Sequence, residues 1–458
     1  MAFDPRIAVS RFGTGPSPHH AQPGRADDLV AEAAAGDAYA EGFPFMTSAW
    51  LRETFSQAQA KRQLARRAKG TEEGDAALKA ARAINDETAL RATADFQGLI
   101  VRATGLPFGL GERLVAFWSD HFTATGTSAY RQYAPFSLSA EAIRPHIMGS
   151  FTDMLRAVAR DPLMLYYLDG AASTGPNSRV GMRKRGRGLN ENFAREIMEL
   201  HTLGVEGRYT QRDVRELAEL LTGLTLNKRM GFQFNPGLVE PGPEIVLGRV
   251  YEGDQIEAID AVLGDLARHP DTARHLAWKL ARHFTSDTPD EGLVRHVAAR
   301  YAQSDGNLGE ATAALLEHPA AWESGQGNVK WPFDFIASSL RALGMTDIEA
   351  AALPAQRVRR MLRNPLSAMG QPWQSAPDPA GWDEEDESWV TPQAVAERIN
   401  WAMRAPQRLL DTLPDPRALL ALVAGEDAPP ELSFAVNAAE TQSEGIGLIL
   451  ASPTFQRR

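Results

Sequence analysis

His121 and its neighbour Asp120 are the first residues in the chain whose chemistry indicates a site. They end the segment GERLVAFWSDHF, in which Val115, Trp118 and Phe122 form an apolar helical stripe. A histidine beside a carboxylate and an aromatic wall can act as a general base or a metal ligand. A lone histidine in such a place can equally be a structural core residue, so both interpretations of His121 stay open.

Two carboxylates about one turn apart lie in the helix predicted between residues 190 and 204. Glu196 and Glu199 share its polar side with Asn192, and carboxylates in unlike environments can divide into an acid and a base. The spacing also fits a solvated ion-pair ladder, because Arg195 stands four residues before Glu199. We keep both interpretations, the polar wall of a cleft and the exposed ladder.

A basic segment precedes this helix. Arg185 and Arg187 stand just before its N-terminus, where Asn190 is the predicted N-cap. Free amide groups, the positive end of the helix dipole and arginines together favour the binding of an anion. Glu191 could occupy the same positive end, and the alternative is a solvated basic loop.

The segment GQPWQSAPDPAGWDEEDESW is a proline-rich loop that carries Trp373, Trp382 and Trp389 around the acidic run Asp383–Glu387. Tryptophans on a long loop are expected either to pack or to bind something. Packing over the domain surface is one interpretation. Stacking of Trp382 on a carbohydrate or aromatic ligand is the other.

A third polar group lies on one face of a later helix, where His275, Lys279 and His283 are spaced four residues apart. A metal site is disfavoured there because the intervening lysine would repel a cation. We interpret these residues as a polar helix face.

The elements that must position these residues are helices. Phe193, Ile197 and Leu200 follow the helical period and form the predicted buried face of the central helix, and Gly204 ends it. A capping box, Thr210-x-x-Asp213, begins the next helix.

Capped helical segments fill most of the remaining chain, and alternation is confined to about Leu224–Gly253. The sequence therefore predicts a mainly α protein, a multi-helix globular bundle with a small β-hairpin insertion. We expect one large domain over residues 1–458, with a helical half at 27–223, the hairpin at 224–253 and a second helical half at 254–458.

Bulk properties limit the functional classes. The chain has 458 residues, 43% of them hydrophobic, which is enough for a large core. Its net charge of -10 argues against general nucleic-acid binding, and the absence of cysteine excludes thiol chemistry. The first thirty residues contain no apolar run typical of a signal peptide, and no membrane span is predicted. These features favour a cytoplasmic protein, and they name no cofactor.

Several motifs together resemble the bacterial "domain of unknown function 1800" family over nearly the whole chain. The segments that carry the resemblance are FWSDHF, IRPHIMGSFTDMLRAVARDPLMLYYLD, RGRGLNENFAREIMELHTLGVEGRYTQRDVRELAELLTG, KLARHF, the tryptophan-bearing loop and LASPTFQRR. The resemblance implies a mainly α-helical protein and no particular reaction. It also implies a periplasmic alternative, because family members often carry an export signal.

The same resemblance suggests a partner. Such proteins are frequently encoded beside a "domain of unknown function 1501" protein, which is related to sulfatases and alkaline phosphatases.

Two departures from the family pattern matter for metal binding. The family usually has Trp-His-Asn-His-Phe where this chain has Trp118-Ser-Asp-His-Phe122, and often a histidine where this chain has Val239. Two ligands of a family-type metal site would therefore be missing.

Three hypotheses follow. The leading one is a hydrolase or transferase for an anionic or glycan-like substrate, in which Arg185 and Arg187 hold the anion, Glu196 or Glu199 acts as acid or base, and His121 assists. The second is a non-catalytic partner protein that uses the tryptophan loop and the acidic run as its interface. The third is a metalloprotein that combines His121 with the central carboxylates.

Overall fold

The computed structural model of the protein describes residues 3–126, 131–183, 188–252, 256–323 and 327–458. Within these ranges almost all regular structure is helical, which confirms the predicted fold class. No helix of the described chain is long and apolar enough to cross a membrane.

Two long helices of the first half of the chain, α3 (Ser48–Arg67) and α4 (Glu72–Gly105), pack against each other. Thr71 caps α4 as predicted, since its Oγ1 accepts the N–H of Gly74 at 3.2 Å. The α-helices of this half are α1 (Pro5–Ile7), α2 (Ala26–Ala34), α3 (Ser48–Arg67), α4 (Glu72–Gly105), α5 (Leu110–His121), α6 (Ala134–Leu138), α7 (Phe151–Ala159), α8 (Pro162–Tyr167), α9 (Asn192–Glu196) and α10 (Gln211–Leu220). Short 3-10 or π turns join them at Ala8–Phe12, Arg131–Tyr133, Ser139–Ile143, Arg144–His146, Gly170–Ala172 and Ile197–His201.

Strands occur where the alternation predicted them, but as two hairpins. β1 (Leu224–Leu226) pairs antiparallel with β2 (Phe232–Phe234), with Leu224 opposite Phe234. β3 (Glu244–Val246) pairs antiparallel with β4 (Arg249–Tyr251), with Glu244 opposite Tyr251.

The second half is helical again, and many of its helices begin with proline at the first or second position. Its α-helices are α11 (Ile256–Ala267), α12 (Pro270–Phe284), α13 (Glu291–Gln303), α14 (Leu308–Glu317), α15 (Pro332–Ala342), α16 (Asp347–Ala352), α17 (Ala355–Val358), α18 (Asn364–Ala368), α19 (Asp386–Trp389), α20 (Pro392–Arg404), α21 (Pro406–Leu409), α22 (Pro416–Ala424), α23 (Pro430–Ala438), α24 (Gln442–Ala451) and α25 (Pro453–Gln456). Short 3-10 or π turns lie at Pro319–Trp322, Arg359–Arg363 and Gly425–Asp427.

One hydrophobic core joins the two halves and runs from Ala8 to Phe455. Arg341 of α15 adds a polar connection. Its buried guanidinium donates to the carbonyl of Gly15 at 2.7 Å and to that of Ala103, at the end of α4, at 2.9 Å. Burial lowers the pKa of Arg341 to about 10, so it stays charged at neutral pH and its carbonyl partners compensate its desolvation.

The central helix departs from the predicted buried face at Leu200. Phe193 and Ile197 are buried as expected, but Leu200 is half-buried and His201 is 1% exposed. The cause is the wider π turn Ile197–His201, which adds backbone within a turn and so shifts the phase of the following side chains. Gly204 still ends the segment with a left-handed φ of 83°, and the capping box of Thr210 is formed.

Candidate functional site

A mostly apolar cavity of about 180 Å³ opens between α4, α5, α6, α15 and the tryptophan loop, residues 370–389. Its aromatic wall consists of Phe45, Phe136, Trp331, Phe333, Trp373 and Trp382. The Trp373 ring is held at 5.0 Å, centroid to centroid, from the rings of both Phe96 and Phe333. Apolar cavities of about 150 Å³ accept a benzene ring, so this one has room for a small organic molecule.

Asp120 lies on the cavity wall at the last turn of α5. Its Oδ1 accepts the backbone N–H of Trp382 at 2.9 Å and so fixes the loop over the cavity. Gly381 has a φ of 95°, and a Cβ there would lie 2.5 Å from Asp120 Oδ2. Burial, and next the nearby Glu384, raise the pKa of Asp120 to about 8. The carboxyl is therefore largely protonated at neutral pH and can donate a proton.

Two arginines share one carboxylate on the same wall. Arg113 of α5 and Arg458 both bind Oδ2 of Asp334, the latter at 2.5 Å. Burial alone would raise the pKa of Asp334, but Arg113 and Arg458 outweigh it and hold the pKa below its usual value. Asp334 is therefore an anion between two cations.

His283 of α12 extends this network away from the cavity. Its Nε2 lies 3.2 Å from Nη2 of Arg113, and its Nδ1 lies 2.8 Å from Oε1 of Glu384. Arginine can only donate, so Nε2 accepts and the proton of the neutral ring is on Nδ1, which donates to Glu384. Burial lowers the pKa of His283 to about 4, which is consistent with a neutral ring.

Lys330 stands on the wall beside Asp334, two residues before α15 begins. Its side chain is 3% exposed, and its ammonium nitrogen lies 3.7 Å from the centroid of the Phe455 ring. Its pKa is lowered to about 7, mainly by burial; Asp334 opposes the shift, and Arg458, Arg113 and Arg398 add to it. A substantial fraction of Lys330 is thus a neutral amine at neutral pH.

A family model described as "Protein of unknown function (DUF1800)" matches residues 7–457. The chain belongs to this family. No curated protein and no solved structure matches it.

In this DUF1800 protein, the predicted catalytic residue His121 does not line the cavity. It is 1% exposed, its ring packs 4.6 Å from that of Phe122, and its Nε2 lies 3.2 Å from the carbonyl oxygen of His201. Burial holds its pKa well below the ordinary value, so the ring is neutral. Successive residues on a helix point about 100° apart, which is why Asp120 reaches the cavity and His121 the core.

Glu196 and Glu199 also lie away from the cavity wall. Glu199 forms an ion pair with Arg195 at 3.1 Å, and Glu191 approaches the same arginine at 3.6 Å, so the ladder is formed. Burial, and next the charge of Glu199, raise the pKa of Glu196. Their catalytic roles stay predictions.

The predicted substrate-binding residues fall into three places. Trp382 lines the cavity. Asn190 borders a separate open depression beside β1 and β2, and its Oδ1 accepts the N–H of Asn192 at 2.9 Å. Arg185 and Arg187 lie outside the described residues.

The acidic run next to Trp382 is used within the molecule. Besides the contact of Glu384 with His283, Glu385 pairs with Arg282 at 2.6 Å and Asp386 with Arg457 at 2.6 Å. Trp389 is buried, with its ring 5.7 Å from that of Trp331. The packing interpretation thus accounts for the run and for Trp389, and the partner hypothesis stays a prediction.

In the described ranges, no group of three histidines or carboxylates is placed to hold a metal ion.

The residues of the cavity wall that the sequence did not predict are Arg113, Lys330, Asp334 and Arg458. Their positions were visible only as helix starts or isolated charges, because their partners are far away in the chain. The polar face of α12 was recognised, but its burial against the tryptophan loop was not.

Proposed function

We propose that this protein is an enzyme that binds a small organic anion with an apolar body in the cavity beneath the tryptophan loop. The observation that carries the proposal is the composition of one wall. Two guanidinium groups share a single carboxylate there beside a buried lysine, while the remaining walls are mostly aromatic and aliphatic.

The charge of this wall favours an anionic ligand group. Arg113 and Arg458 compete for the same oxygen of Asp334, and neither Nε has a hydrogen-bond partner among the described residues. Buried cations are stabilised by each additional anion or acceptor that reaches them. A carboxylate or phosphate beside the two arginines would supply that compensation with the geometry that guanidinium prefers.

The other walls favour an apolar ligand body. The rings of Phe136, Phe333, Trp373 and Trp382 offer stacking surfaces. A glycan needs many converging polar groups, so an aryl or alkyl compound fits this cavity better than a sugar. Of the anionic and glycan-like substrates predicted from sequence, we therefore propose the anionic class.

A hydrolase or transferase reaction would use Asp120 as its proton donor. Its carboxyl is largely protonated at neutral pH, and it lies on the cavity wall with one oxygen fixed by Trp382. This role replaces the one suggested for His121, which does not line the cavity.

The test compares hydrocinnamate with hydrocinnamyl alcohol, which has the same ring and chain but no charge. We expect the acid to raise the thermal unfolding midpoint of the wild type by roughly 1–3 °C at several times its dissociation constant, and the alcohol to raise it less. Ala116 lines the cavity on α5. Ala116→Phe should fill the space and abolish the response, and Ala116→Ser should preserve it.

Two results would overturn the proposal. Equal shifts with the acid and the alcohol would remove the anion requirement. A full response in Ala116→Phe, with circular dichroism matching the wild type, would place binding outside this cavity.

A further inference from the structure

We propose that Lys330 is an amine that condenses with a carbonyl group of the ligand, which makes the substrate class an oxo acid with an apolar body. This inference rests on the proposed function, because the same cavity must bind the anionic group. It adds a covalent step that binding alone does not require.

The first observation is that Lys330 lies inside the cavity without a counter-ion. Lys330 is one of the residues that line the wall, and it is 3% exposed. Asp334 is the nearby carboxylate, but Arg113 and Arg458 occupy it, and no carboxylate of the described residues lies within ion-pair distance of the lysine nitrogen. Water stabilises the charge of a surface lysine, whereas the charge of buried Lys330 has neither bulk water nor, among the described residues, a counter-ion to stabilise it.

The second observation is that the backbone of Lys330 is held on both sides. Its N–H donates to the carbonyl of Gln456 at 2.8 Å, and its own carbonyl accepts from Nη2 of Arg398 at 2.8 Å. The Phe455 ring lies 3.7 Å from the nitrogen and limits where the side chain can move. These contacts restrict the positions that the amine can take relative to a carbonyl group bound in the cavity.

The surroundings also favour the neutral amine, which is the nucleophilic form. The groups that act on it are Asp334 of α15, Arg113 of α5, Arg398 of α20 and Arg458, and three of the four are cations. Among the described residues, Asp334 and the Phe455 ring oppose the neutral form. With its pKa lowered to about 7, Lys330 has a large neutral fraction near neutral pH, which activates lysines for imine formation.

The condensation balances without a further reactant. The nitrogen lone pair attacks the carbonyl carbon, the carbonyl π electrons move to oxygen, and proton transfer from nitrogen to oxygen gives a carbinolamine. Protonation of the hydroxyl and departure of water then leave a carbon–nitrogen double bond. Counted from the ammonium, two protons leave with the oxygen as water and one remains on the iminium nitrogen.

Phenylpyruvate with sodium cyanoborohydride tests this step, because reduction makes the imine permanent. We expect peptide mass spectrometry to find the reduced adduct on Lys330 about tenfold faster, near pH 7, than on exposed Lys61. The rate at Lys330 should rise with a midpoint near pH 7. Lys279, which is also a lysine of lowered pKa but lies off the cavity wall, serves as the matched control and should remain unlabelled.

The variants Lys330→Met and Lys330→Arg should lose the adduct, and the arginine variant keeps the charge if the methionine variant folds poorly. Hydrocinnamate, which lacks the oxo group, separates the two proposals. If hydrocinnamate stabilises the protein and Lys330 is labelled no faster than Lys61, the amine role is wrong and the binding proposal stands. If hydrocinnamate has no effect and Lys330 is not labelled, both are wrong.

Discussion

At the scale of single residues, the site depends on which of two neighbours faces the cavity. Asp120 and His121 are adjacent, yet the carboxyl reaches the ligand space and the imidazole is enclosed by aromatic rings. Both are neutral at neutral pH for the same reason, which is that burial disfavours the charged form. Of the two, Asp120 is therefore the residue that lines the cavity.

Replacing Asp120 should change how stability depends on pH. The folded-state pKa of about 8 exceeds the unfolded value, so the folded carboxyl keeps a proton that the unfolded chain releases, and stability is lost as pH rises from about 4 to about 8. Asp120→Asn cannot ionise and can still accept from Trp382. Its free energy of unfolding relative to wild type should increase by roughly 2–4 kcal/mol between pH 5 and pH 8. Urea denaturation at both pH values measures this, and a constant difference would contradict it.

Asp334 is expected to be a major stabilising residue, because it compensates two buried guanidinium groups. Asp334→Asn should cost about 3–5 kcal/mol, since it leaves Arg113 and Arg458 without their shared anion. The matched control is Glu219→Gln, which breaks the more exposed pair with Arg215 and should cost much less. Chemical denaturation of both variants gives the comparison, and similar losses would mean that the cations are solvated.

At the scale of elements, the central helix and α12 show why a polar face can be interpreted in two ways. On the central helix the polar side is an ion-pair ladder, as spacing allowed. On α12 the face of Lys279 and His283 is covered by the tryptophan loop, and Glu384 of that loop binds His283. Identical helical spacing thus gives an exposed face in one case and a buried network in the other.

The π turn in the central helix predicts unequal costs for two similar truncations. Phe193→Ala should cost about 3–5 kcal/mol, because the ring is 3% exposed and leaves a cavity. Leu200→Ala should cost about 1–2 kcal/mol, because the turn Ile197–His201 rotates it out of the core. Denaturant midpoints of the two variants test the role of the π turn. In a regular helix Leu200 would be buried, and its truncation would cost about as much as that of Phe193.

At the scale of the whole molecule, the cavity lies where the two helical halves meet. Arg113 comes from α5 in the first half, whereas Asp334 and Arg458 come from the second. Arg341 adds hydrogen bonds from α15 to the end of α4. The site cannot form in either half alone.

We therefore expect the chain to unfold as one domain. Calorimetry should give a single transition, and circular dichroism and tryptophan fluorescence should report the same midpoint, because one core spans both halves. Two separated transitions would show instead that the segments before and after the hairpins are independent domains. A fragment of residues 256–458 should accordingly lack a cooperative transition.

The sequence by itself determined the features that depend on local chemistry. Helix starts at Thr71 and Thr210, the left-handed end at Gly204 and the confinement of strands near residues 224–253 all follow from interactions within a few residues. These features fix the mainly α class. They do not fix which faces meet.

Only the tertiary structure decided the site. Asp334 binds Arg113 and Arg458 across 221 and 124 positions of the chain, distances over which no spacing rule applies. The loop N–H of Trp382 finds Asp120 across 262 positions. A charged residue becomes chemically unusual when packing removes its water and selects its neighbours, so the altered pKa values of Asp120 and Lys330 arise from the fold.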